Sequence, residues 1–144
     1  MRRVTTENQP YLLDFLRKNN TGEYPDNTVC FGQELDGELI GVAAFNNITP
    51  VLCQFHVTSK TPYWVTKDLL YKIFDYPFNK LKVKVILAPI CKDNHKSLNF
   101  GRKLGFVKVA DIPYAHQDGD LIVMAMKRDQ CKWLQQGEGN ERFN

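Results

Sequence analysis

Asn94-His95-Lys96-Ser97-Leu98-Asn99-Phe100-Gly101-Arg102-Lys103-Leu104-Gly105-Phe106 reads as a single helix that carries its own start and stop. Asn94 suits the cap, because its short amide can take a backbone N–H of the first turn. Gly105 suits the end, because glycine accepts the left-handed conformation that closes a helix. Upstream, Val83 to Ile90 is nearly all apolar, the pattern of a strand buried on both faces. Downstream, Phe106 to Ile112 reads as a strand, Asp118-Gly119-Asp120 as a turn and Leu121 to Met126 as the last strand. A helix between two strands of this kind belongs to a layered α/β domain.

Further upstream the apolar period alternates between helix and strand. Leu69, Leu70, Ile73, Phe74, Phe78 and Leu81 make a stripe at helical spacing, with Pro77 expected to kink or shorten the helix. Thr61-Pro62 reads as its start, with Thr61 as cap and Pro62 in the first helical position. Thr28 to Leu35, Leu39 to Asn46 and Val51 to Thr58 read as an antiparallel meander, and Asp36-Gly37 is a hairpin turn. Arg2 to Thr6 is a short first strand. A helix then runs from a cap at Thr6 or Asn8 to about Lys18, burying Tyr11, Leu12, Phe15 and Leu16. The order β-α-β-β-β-α-β-α-β-β predicts a mixed sheet with helices on both faces. One parallel pair, Val51–Thr58 beside Val83–Ile90, should lie at its centre.

The chain has 144 residues, and residues 1–134 make one expected domain followed by a polar tail, 135–144. A hydrophobic fraction of 43% and a charged fraction of 24% exclude a disordered tail, a fibre and a disulfide-rich toxin. The net charge of +3 is too small to argue for nucleic-acid binding. No apolar run approaches a membrane span, and Met1-Arg2-Arg3-Val4 does not open a signal peptide. Cys30, Cys53, Cys91 and Cys131 form no Cys-x-x-Cys pair, and no His or Cys sits at zinc-ligand spacing, so no metal is expected. Three of them lie in apolar runs, as reduced cysteines do, which places the protein in a reducing compartment, the cytoplasm.

The element order and the Asn94 to Phe106 motif together resemble the GNAT superfamily of acyl-CoA-dependent N-acetyltransferases. Ile73 to Phe78, Asp118 to Leu121 and Met126 to Leu134 are similar to GNAT-type proteins of phages and prophages. The resemblance implies a sheet whose two central parallel strands splay apart around the acyl-pantetheine arm of acetyl-CoA. Pantetheine contacts then fall to Phe55, His56 and Val57. The pyrophosphate falls near Trp64 to Lys67, where helix N–H groups favour an anion, and Asn94 and Ser97 face the far end of the arm. Acetyl-CoA would serve as a substrate, with an amine-bearing small molecule, a protein N-terminus or a lysine as acceptor.

Two positions depart from the family pattern. Aligned from Val57, the phosphate loop reads Pro62-Tyr63-Trp64-Val65-Thr66-Lys67, so Val65 and Lys67 fill both glycine positions. Lys60 and Lys67 then supply charge and Thr66 a hydroxyl where glycine would supply bare backbone. Gly101 stands where the family often carries a tyrosine that protonates the leaving thiolate. His56, a strand residue that titrates near neutrality, is the expected base; the plain alternative is a histidine bonded to a neighbour. Cofactor contacts are expected from Phe55, Val57, Val65, Thr66, Lys67, Asn94 and Ser97. If the loop is plugged by Tyr63 or Trp64, the second reading is an inactive GNAT-fold protein of a phage, in the virion or bound to a host protein.

Overall fold

The computed structural model describes residues 1–135, so residues 136–144 of the polar tail lie outside the described residues. The elements are β1 (Arg2–Thr5), α1 (Gln9–Asn19), β2 (Val29–Leu35), β3 (Glu38–Asn46), β4 (Leu52–Ser59), α2 (Lys67–Asp75), β5 (Val85–Cys91), α3 (His95–Leu104), β6 (Val107–His116) and β7 (Gly119–Lys127). Seven strands make one sheet in the order β1-β2-β3-β4-β5-β7-β6. Its one parallel pair is β4–β5, and the other neighbours are antiparallel. The β2–β3 hairpin turns at Asp36 (φ 52°) and Gly37 (φ 85°), the two consecutive positive φ angles that a two-residue turn of this hand requires.

The two faces of the sheet carry separate cores. Leu12, Leu13, Phe15 and Leu16 of α1 pack with Tyr24, Cys30, Val42 and Ala44 on one face. α2 and α3 cover the other, where Phe31, Phe45, Phe55, Phe74 and Phe106 meet. Phe55 stacks on Phe106 with centroids 5.6 Å apart and planes 10° apart.

Four sequence expectations shift. Tyr11 is 52% exposed and Leu13 is buried in its place, because Asn8, in the left-handed region, starts α1 at Gln9 and sets its phase. β5 alternates half-buried and buried residues from Val85 to Ala88 and ends on three half-buried ones, so it is not buried on both faces; α1 packs mainly on β2, β3 and β4. α2 starts at Lys67, with Thr66 as its cap. The Thr61 hydroxyl accepts from Tyr63 N–H instead, while Trp64, Val65 and Thr66 dive into the core, so the chain is committed to burial before it can coil. β6 runs on to His116, and two irregularities interrupt its pairing with β7. Pro77 acts as expected: α2 ends at Asp75 and a wider π-helical turn, Tyr76–Lys80, follows.

Gly41 on β3 has a steric duty. A Cβ there would lie 2.2 Å from Trp64 Cε3, so the bare backbone makes room for the indole.

Candidate functional site

The site follows from a mismatch between β4 and β5. Their parallel pairing covers Leu52, Cys53 and Gln54 against Val85, Ile86 and Leu87 and then stops, although β4 runs on to Ser59 and β5 to Cys91. The strands splay from that point. The Val57 carbonyl accepts from Asn20 Nδ2 at 3.3 Å. Backbone groups of alternate strand residues point to the same edge, so Phe55 and Val57 direct theirs into the gap. A cleft of about 660 Å³ fills the splay.

The α1 side of the cleft is polar. His56 Nε2 donates to Asn46 Oδ1 at 2.7 Å, which leaves Nδ1 with its lone pair. The Tyr24 ring meets the imidazole edge-on at 5.1 Å. Burial pushes the His56 pKa down to about 4, so the ring is neutral at physiological pH. Burial also pushes Tyr24 up to about 12, which keeps its hydroxyl protonated. The loop after α1 is laid onto β4 by Asn20 and by the Thr58 hydroxyl, which donates to the Asn19 carbonyl. Asn20, Asn46, Asn47 and Gln54 give this wall donors and acceptors of one chemical type.

The charge of the lining is one-sided. Glu23, Asp93 and Asp118 line the cleft, whereas among the described residues no lysine or arginine does, in a chain of net charge +3. Such a wall favours a cationic group.

The sequence-derived candidates divide into two sets. Phe55, His56, Val57, Asn94 and Ser97 all line the cleft. Val65, Thr66 and Lys67 do not. Val65 and Thr66 are buried, and the Thr66 hydroxyl accepts from Leu69 N–H and donates to Gln33 Oε1. Lys67 opens α2 and is half-buried. The next residue, Asp68, puts a carboxylate in the first turn, with Oδ1 buried and unpartnered among the described residues. A carboxylate there complements the helix dipole and competes with any phosphate for it. The start of α2 therefore offers an anion little open backbone.

Asn94 caps α3, accepting from Ser97 N–H at 3.2 Å. Asn94→Ala is expected to cost about 1 kcal/mol through the lost cap, read as a lower midpoint in urea unfolding. At Gly101 an added Cβ would approach Met124 Sδ at 3.1 Å, with Ile90 beyond. A tyrosine there would start out toward the sheet core, so glycine is explained by packing. Asn20, Tyr24, Asn46, Asp93 and Asp118 are site residues that sequence reasoning missed. Asn46-Asn47, closing an apolar strand, was the one visible signal.

No family model matches this chain. The acetyltransferase PseH of Campylobacter jejuni is 33% identical over 100 residues, which is 69% of this chain and 60% of PseH. The chain thus spans less than two thirds of that curated relative. Among solved structures, mutant forms of the spermidine/spermine N-acetyltransferase SpeG from Vibrio cholerae superpose with a TM-score of 0.73 at 15% identity, covering 96% of this chain and 100% of theirs. C. jejuni PseH in complex with acetyl coenzyme A superposes at 0.56 with 24% identity, covering 89% and 99%. The fold is that of the GNAT acetyltransferases. Within that fold the β4–β5 gap is the opening between the central strands, and α3 carries the Asn94 to Leu104 motif.

Proposed function

We propose that the protein is an acyl-CoA-dependent N-acetyltransferase acting on an amine. The observation that carries this reading is the splay of β4 from β5, with the backbone of Phe55 and Val57 turned into a lined cleft. The likeness to PseH and SpeG supports it. Bound in the gap, acetyl-CoA would supply an activated acetyl thioester. Phe55 and Val57 would hold the arm through backbone hydrogen bonds, and Val57 N–H would polarise a carbonyl placed there. Asn94 and Ser97 would face the arm from α3.

The acidic wall would draw the acceptor in as a cation, and the amide groups would orient it. An amine-bearing small molecule fits this lining, and so does the ammonium of a protein N-terminus or lysine. His56 is the proposed base. With a pKa near 4 it cannot strip an ammonium, so water takes that first proton and the small neutral fraction of the amine is the attacking species. His56 would take the second proton as the C–N bond forms, when the nitrogen turns strongly acidic, and pass it to the coenzyme A thiolate as the C–S bond breaks. Positioning of the two reactants would supply most of the rate.

Calorimetric titration with acetyl-CoA, with desulfo-CoA as a control, tests the donor. Binding in the micromolar range is expected, together with thiol release when primary amines are added. His56→Gln should lower kcat by about a hundredfold while leaving acetyl-CoA affinity unchanged. No heat and no thermal shift at millimolar acetyl-CoA, in wild type and in Trp64→Leu alike, would overturn the assignment. One observation favours a second reading: Trp64 is buried beside Phe100, and none of residues 58–67 lines the cleft. An inactive GNAT-fold protein, phage-encoded and bound to a host protein, would show that silence.

A further inference from the structure

The cleft ends short of the helix start that a nucleotide donor would need. None of residues 58–67 lines it. Phe100 is the shared wall: it faces the cleft on one side, and its ring centroid lies 6.2 Å from that of Trp64 on the other. Trp64 thus stands between the β4–β5 gap and the N-terminus of α2, with its indole laid on the bare backbone of Gly41.

The indole is held differently from the other tryptophan. Trp133 Nε1 donates to the Leu104 carbonyl at 2.8 Å, a bond that pins its ring. Among the described residues Trp64 Nε1 donates no hydrogen bond, although the residue is only 4% exposed. Its ring rests on Gly41 and beside Phe100, with no side-chain bond of the kind that pins Trp133. Its backbone is anchored separately, since Arg2 Nη1 donates to the Trp64 carbonyl at 3.5 Å. Outward of it, Pro62 and Tyr63 are exposed, so the segment borders solvent.

We propose that Trp64 is a gate between the cleft and the start of α2, and that a donor with a long anionic tail seats only when the indole leaves Gly41. This rests on the acyl-CoA reading above. The closed position described here keeps the cleft short and its floor dry. The open position would join the gap to α2 and give the pyrophosphate a path along the end of β4. If the open form makes up about one part in a hundred of the free protein, removing the indole tightens apparent binding about a hundredfold.

The test is ¹⁹F NMR of the full chain labelled with 5-fluorotryptophan, which gives two resonances, assigned with Trp64→Phe. Coenzyme A is the probe, and calorimetry on the same sample reports binding. The Trp64 resonance should shift on saturation while that of Trp133 stays, and Trp64→Leu should bind coenzyme A faster and about a hundredfold tighter. Binding with the Trp64 resonance unmoved would overturn the gate and leave the acetyltransferase reading standing. Binding by Trp64→Leu but not by wild type would support a gate that is closed at rest. Silence from both proteins would overturn the donor assignment and the gate with it.

Discussion

Gly41→Ala is expected to destabilise the protein by about 3 kcal/mol, the scale of expelling or overpacking a large core side chain. The added methyl would lie 2.2 Å from Cε3 and 2.6 Å from Cδ2 of Trp64, far inside contact distance. It cannot turn away, because the Cβ direction is set by the strand. β3 is held on both sides, pairing with β2 through Gln33↔Gly41 and with β4 through Gly41↔Ser59, so the backbone cannot retreat. The indole must move, and it leaves a core that includes Val65, Leu69 and Phe31. For a chain of this size the loss corresponds to a Tm lower by about 10 °C. Differential scanning calorimetry measures it. A change below about 1 kcal/mol would mean that Trp64 yields without cost and does not rest on Gly41 as described. The same variant should bind coenzyme A faster than wild type, because it forces open what the ligand otherwise opens.

Acid is expected to destabilise the fold through His56. Burial holds the folded pKa at about 4, below the 6.5 of an exposed imidazole. Between those values the unfolded chain binds a proton that the folded chain refuses. Stability therefore rises with pH across this window. It is intact above about pH 6.5 and falls as the pH drops toward 4, by up to about 3 kcal/mol. Carboxylates titrate over the same range, so the informative quantity is a difference. Urea unfolding of wild type and His56→Gln at pH 7 and pH 4 isolates the imidazole. Wild type should lose about 3 kcal/mol more than the variant over that interval. Equal losses would show that His56 is solvated in the folded state. The neutral ring also explains how the cleft joins a histidine to carboxylates without an internal cation: Asn46 satisfies Nε2, and Nδ1 stays available.

The two predictions sit on opposite faces of one strand pair, and they separate what local sequence controls from what packing controls. Helix α3 is written locally. Asn94 caps it and Gly105 ends it at φ 113°, both within the helix's own residues. The Asp36-Gly37 turn and the order of strands and helices are equally local, because turn chemistry and apolar period act over a few neighbours. The start of α2 is set by distant contacts instead. Thr61-Pro62 has the residue types of a helix start, but Trp64 and Val65 had a core to enter, and Thr66 found Gln33, 33 residues away, as its partner. Burial of an indole outweighs one cap of about 1 kcal/mol.

The candidate site divides along the same line. Phe55, His56, Val57, Asn94 and Ser97, to which the family resemblance pointed, all line the cleft. Tyr24 and Asn20 have no signal in the sequence, because the loop after α1 reads as ordinary polar connection and reaches β4 through contacts over 37 and 39 residues. The sequence by itself determined the elements, their order, the turns and the cap and stop of α3, since these depend on interactions between near neighbours. The parting of β4 and β5 after three residue pairs, the burial of His56 against Asn46 and Tyr24, and the seating of Trp64 on Gly41 beside Phe100 come from the tertiary structure. Each of those outcomes depends on which distant groups share one small volume, and no spacing along the chain encodes that.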